Sequence, residues 1–199
     1  MTDALWYLAR GTGVVALVML TVVVVLGIAS RSGRPLLRLP RFGVAAVHRN
    51  TSLLAVTLLT VHIGTLLLDP YAQLRLFDVV LPFAGARRPL WLGLGTLGAD
   101  LLLALTVTSL LRHRLGRRTW RAVHWLAYAA WPAALLHGLG TGTDAGQAWF
   151  RVLAAGCAAA AVAAVLWRTS AGFAERGRTR IRTVDPSPAP PAPRLAGTR

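Results

Sequence analysis

The chain has 199 residues, 55% of them hydrophobic, with 22 basic against 7 acidic side chains and a formal net charge of +15. So apolar a composition excludes an ordinary soluble domain and leaves length for several membrane spans of about 20 residues each. The basic residues are all arginine and cluster in alternate loops, which orients a membrane protein and argues against nucleic acid as a partner.

A first helix is expected over about Ala4 to Ala29, rich in Val, Leu and Ala. It lacks the basic start and short apolar core of a cleaved signal, so it reads as a retained span. Arg10 stands in its first turns, and Gly11 and Gly13 after it would let a neighbouring helix or a ring approach closely. Gly33, Pro35 and Pro40 mark a basic loop. A second helix runs from about Phe42 to Leu68, where Asp69-Pro70 stops it. The connection from Tyr71 to Leu90 has apolar pieces too short to span and reads as an interfacial or re-entrant cap. A third helix is expected over about Trp91 to Leu111, a fourth over Thr119 to Gly138 with Pro132 inside it, and a fifth over Gln147 to Trp167. Cys157, the single cysteine, lies in the last of these, so neither an intrachain disulfide nor a Cys-ligated cluster is available. The expected fold is therefore all-α: an integral membrane bundle of five transmembrane helices, with six as the alternative. Residues 1–168 form the membrane domain, and 169–199 form a disordered Arg/Pro-rich tail.

Arginine counting orients the bundle. Sixteen arginines fall in the loop after the first helix, the segment before the fourth and the tail, against five on the other side. That expects the N-terminus outside and the C-terminus in the cytoplasm of a plasma membrane. The Arg-only basicity, with abundant Ala, Gly and Pro, suggests a bacterium of high GC content.

Four of the five histidines lie in two of these helices: His48 and His62 in the second, His124 and His137 in the fourth. A lone histidine in an apolar stretch ordinarily just hydrogen-bonds a neighbour, but ionisable groups within a membrane are costly and mostly functional. The spacings of 14 and 13 residues separate each pair by about 20 Å along a helix at about 1.5 Å per residue. With five spans the two helices run parallel. His48 and His124 then fall near the inner face and His62 and His137 near the outer face. Two axial nitrogens at each of two depths is what two b-type haems require, so all four are candidate iron ligands. A spacing of 13 leaves His124 and His137 about 140° apart on a straight helix, and Pro132 is a candidate for changing that angle. Trp131, nearly on the face of His124, is a candidate aromatic between the haems, with ordinary packing as the competing role. Arg49 and Arg121 are placed to meet the propionates of an inner haem, and Arg10, Arg87 or Arg88 those of an outer one. Asp100, within the third helix, either pairs with Thr106, Thr108 or an arginine, or handles protons beside a quinol. His113, among arginines in a loop, reads as a solvated side chain.

These histidine intervals, together with HWLAY and LLHG around the second pair, WYLARGTGVVAL at the start and RRPLWLGLG, resemble the ferric reductase-like transmembrane domain family. It includes ferric reductases, NADPH oxidases and the haem subunit of the periplasmic methionine sulfoxide reductase. The resemblance implies two haems b, His48 with His124 and His62 with His137, and electron delivery to the outer face. It departs from the full-length members in that only about thirty residues follow the last helix, without a GxGxxG fingerprint. Electrons are then expected from a separate cytoplasmic flavin reductase or the quinol pool. The expected acceptor is ferric iron or an extracytoplasmic redox protein. The family's core usually has six helices. Two rival readings stand beside this one. A quinol-oxidising cytochrome b of respiratory type would add a quinone, but no PEWY-like motif is seen. A haem-free structural or transport protein would need no cofactor.

Overall fold

The computed structural model describes residues 2–32, 40–85 and 88–170, and every regular element among them is helical. The elements are α1 (Thr2–Arg31), α2 (Arg41–Leu68), α3 (Leu76–Val80), α4 (Pro89–Leu110), α5 (Arg112–His124), α6 (Ala127–Thr141) and α7 (Ala148–Thr169). Among the described residues four helices, α1, α2, α4 and α7, are long and apolar enough to cross a membrane. The 30 residues of α1 rise about 45 Å at about 1.5 Å each, enough to span about 30 Å of hydrocarbon at a tilt. Arg34, Arg38, Arg87 and the tail from residue 171 lie outside the described residues, so the expectations placed on them do too.

The span expected from Thr119 to Gly138 is not one helix. α5 ends at His124 and α6 begins at Ala127. Between them the amides of Trp125 and Leu126 donate three residues back, to Ala122 and Val123, and those of Tyr128 and Ala129 donate to Trp125 and Leu126. Such bonding winds the chain about 20° more per residue than an α-helix. Over these four residues the gain is about 80°, which cuts the mismatch between His124 and His137 from about 140° to about 60°. The tightening comes before Pro132, which lies inside α6, and is not centred on it. Upstream, Gly116 interrupts α5 at φ 75°, ψ 159°, a conformation that glycine alone adopts without a Cβ clash.

α1 is the post on which the bundle is built. α2 packs along its length, and α6 and α7 also lie against it, while α6 packs chiefly on α4. The buried residues of α7 are Phe150, Ala154, Cys157, Ala161 and Ala164. They recur at alternating steps of four and three, a seam that faces one neighbour, and their small side chains permit close approach. Gly98 of α4 does the same against α6, where a Cβ would lie 3.7 Å from the Ala130 carbonyl. The connection before α4 folds back onto that helix, as a cap would. Thr96 donates to the Asp78 carbonyl at 2.6 Å, and the Phe83 ring fills the space where Gly93 has no side chain.

Two arginines fasten the ends. Arg10 forms a two-pronged ion pair with Asp144 in the α6–α7 connection and lies over the Trp6 ring. Arg168, at the end of α7, bonds the Tyr128 hydroxyl and stacks 4.4 Å from the Trp125 ring centre, so α7 grips the turn between α5 and α6. Asp144 is buried and Arg10 about a third exposed. Replacing Asp144 by Asn is expected to cost about 1–3 kcal/mol, between the surface and buried limits for such pairs. Thermal unfolding in detergent checks this, and an unchanged Tm would show that the pair contributes nothing.

Candidate functional site

An imidazole in a hydrocarbon interior has an N–H that finds no water, and leaving it unbonded costs several kcal/mol. Three of the four paired histidines meet this need in the same way. His48 donates from Nδ1 to the Val23 carbonyl at 3.1 Å. His62 donates to the Ala9 carbonyl at 2.7 Å, and His137 to the Trp91 carbonyl at 2.9 Å. A carbonyl can only accept, so Nδ1 carries the proton in each neutral ring, and Nε2 is left with an unshared electron pair. The acceptors lie on the helix behind each histidine: α1 for His48 and His62, α4 for His137.

These bonds also set the helix directions. As the histidine number rises along α2, the acceptor number on α1 falls by the same amount, so α1 and α2 are antiparallel in one register. His137 bonds Trp91 near the start of α4, while Trp120 donates to Ser109 near its end at 3.4 Å, so α4 runs against α5 and α6. Trp131 of α6 donates to Thr21 Oγ1 of α1 at 3.0 Å, which lies between Ala9 and Val23. Because His124 lies by His48 and His137 lies toward His62, the α5–α6 run is parallel to α2.

The structure brings His48 and His124 together across helices, with ring centres 6.4 Å apart and planes at 75°. His62 and His137 share the other end, within electrostatic reach of each other. His124 differs from the other three. Its Nδ1 is buried with no hydrogen-bond partner among the described residues, and its ring stacks on Trp120 at 5.0 Å.

The remaining candidates are placed less uniformly. Arg49, next to His48, and Arg121, on α5, are exposed. Arg10 already has a counter-ion in Asp144. Arg88 donates to the Gly140 carbonyl at 3.2 Å and ties the start of α4 to the end of α6. Trp131 is half-buried against α1, on a groove that α7 also lines, and is held by Thr21, which is buried and itself bonds the Leu17 carbonyl. Asp100 does not pair with Thr106 or Thr108, whose hydroxyls turn back to Leu102 and Ala104. His113 is exposed. Sequence reasoning missed the three carbonyl acceptors, the Trp120 stack and the Arg168 grip. Carbonyls carry no residue signature. Trp120, four residues before His124 and so on the same helix face, was open to inference.

A multi-pass helical membrane protein with imidazoles paired across its helices is the class that this geometry defines. The chain matches the family described as ferric reductase like transmembrane component over residues 12–135, and it belongs to that family. The match covers most of α1 through the first part of α6 and includes His48, His62 and His124; His137 lies two residues beyond it. No curated protein and no solved structure matches the chain. Family membership makes the chain a redox-associated membrane protein.

The Trp131–Thr21 bond links α6 to α1 in the interior, where a neutral hydrogen bond contributes about 1 kcal/mol. A double-mutant cycle with Trp131→Phe and Thr21→Val should give a coupling of about that size in detergent unfolding. Additive effects would show that the bond does not stabilise the bundle.

Proposed function

We propose that the chain is a dihaem b-type membrane cytochrome, the haem-bearing component of a reductase system that carries electrons outward across the membrane. The observation that carries this reading is the His48–His124 pair. An imidazole nitrogen bonds a first-row metal at about 2 Å, so with the ring's own radius added on each side two axial rings have centres about 6.3 Å apart. The separation in the structure is 6.4 Å. The Nδ1 bonds of His48, His62 and His137 support the same role, because a ligating histidine commonly donates its other N–H to a carbonyl or carboxylate. Among the described residues no group of three or more His, Cys, Asp or Glu side chains is placed to hold a bare metal ion. Paired imidazoles instead suit a metal that brings its other ligands with it, as haem iron does. α2 packs on α1 and makes little backbone contact with α5 or α6.

Haem held by these paired histidines would supply a one-electron couple suited to electron transfer. The chain's own residues do the rest. His48 with His124 hold the inner group, and His62 with His137 the outer one. Arg49 and Arg121 are the cations for the inner propionates. At the outer site Arg10 serves only by sharing its guanidinium with Asp144. Trp131 places an indole between the two levels. The arginine balance supports an N-terminus outside and a C-terminus in the cytoplasm, so the His62 end faces outward. A full outward crossing is then helped by about 2.3 kcal/mol per 100 mV of inside-negative potential. The donor in this reading is a cytoplasmic flavin reductase or the quinol pool, and the acceptor ferric iron or an extracytoplasmic redox protein.

A reduced-minus-oxidised spectrum with haem quantitation is expected to give two haems b per chain. His62→Ala and His137→Ala should each leave one haem, and His48→Ala should leave the other. Purified protein without Soret absorbance would sink the reading.

A further inference from the structure

The three seated histidines share a feature that neither the family nor the ligand assignment requires. Each acceptor carbonyl lies four residues before a glycine on its own helix: Ala9 before Gly13, Val23 before Gly27, Trp91 before Gly95. The imidazole rests on that glycine. A Cβ on Gly13 would lie 2.8 Å from Cε1 and 2.9 Å from Nδ1 of His62. One on Gly95 would lie 2.5 Å from Nδ1 of His137, and one on Gly27 would lie 3.3 Å from Cε1 of His48.

Helix geometry supplies the cause. A carbonyl at position i points along the axis toward the amide of i+4, and its second lone pair is reached only from the side. A ring bonding it from a neighbouring helix must lie over the backbone at i+4, where any side chain would stand. We infer that Gly13, Gly27 and Gly95 are positioning residues. Each clears the way for an axial imidazole to reach the carbonyl one turn earlier, and so fixes that imidazole's tautomer and plane. The spacing agrees independently, since Gly13 and Gly27 are separated by the same interval as His48 and His62. The fourth site is the contrast. At the matching level of α4 stand Thr108 and Ser109 in place of a glycine, Thr108 bonds the Ala104 carbonyl itself, and Nδ1 of His124 is left without a partner. The outer pair therefore has two seated ligands and the inner pair one.

The inference rests on the four histidines being axial ligands, and the test separates the two claims. Full-length protein is purified with Gly→Ala substitutions at 13, 27 and 95, and at Gly11 and Gly64, which have no neighbour within 4 Å of a Cβ. Haem content, potentiometric titration and low-spin ferric EPR are then read. G13A and G95A are expected to lose the outer haem or shift its midpoint and EPR signal, leaving the inner one as in wild type. G27A, the mildest clash, should keep both haems and shift only the inner one. G11A and G64A should match wild type in every readout. Wild-type behaviour of G13A and G95A, or equal disturbance by the two control variants, overturns the inference. If G13A and G95A fail to accumulate, G27A decides, and an unshifted inner haem refutes the seat. Should the wild type contain no haem, the ligand assignment fails separately. Side-chain 15N NMR would still read the Nδ1–H tautomer of His48, His62 and His137 and its loss in the glycine variants.

Discussion

An unbonded imidazole N–H is costly in a membrane interior, and much of this structure follows from how three of the four paired histidines avoid that cost. With no water and few polar side chains nearby, the available acceptor is a backbone carbonyl already used once inside a neighbouring helix. His48, His62 and His137 each take one. The bonds join α2 to α1 and α6 to α4, and they fix the register of both antiparallel pairs. Ridge-and-groove packing between apolar helices would set such a register only loosely.

The bundle is thus two hairpin-like pairs, α1 with α2 and α4 with α5–α6, joined through α1. His48, His62 and His137 are tied through Nδ1 to the partner within each pair, which leaves Nε2 free of that bond. His48 and His124 meet across the pairs, where α2 and the α5–α6 run have little backbone contact. Interhelical packing is close where small residues stand, as on the Ala-rich seam of α7 and at Gly98. It is open where the imidazoles converge.

Much of this was legible in the chain. Five spans are expected from composition, and four of them are long apolar helices among the described residues, the expected fourth being divided into α5 and α6. The parallel course of the two histidine-bearing segments and the meeting of His48 with His124 follow from spacing and the parity of spans. The break at Trp125–Leu126 did not, because its cause is a switch in backbone bonding with no Gly or Pro at the site. Pro132 drew attention to a position six residues too late. Gly11 and Gly13 looked equivalent in sequence, yet Gly13 carries a ring and Gly11 carries nothing. Which face of α1 turns toward α2 decides between them, and that depends on the whole bundle. Arg10 and Asp144 lie too far apart along the chain for local reasoning to pair them.

The two members of each histidine couple stand on opposite sides of α3 and α4 in chain order. A ribosome adding about 5–20 residues per second reaches His124 about 4–15 s after His48. During that interval the α1–α2 hairpin is already in place, its two rings tied to α1 and their other nitrogens unopposed. In the dihaem reading proposed above, a prosthetic group held from both sides would be enclosed only after the α5–α6 segment has been made. Loading would then be a late event of biogenesis, open to control by the supply of that group.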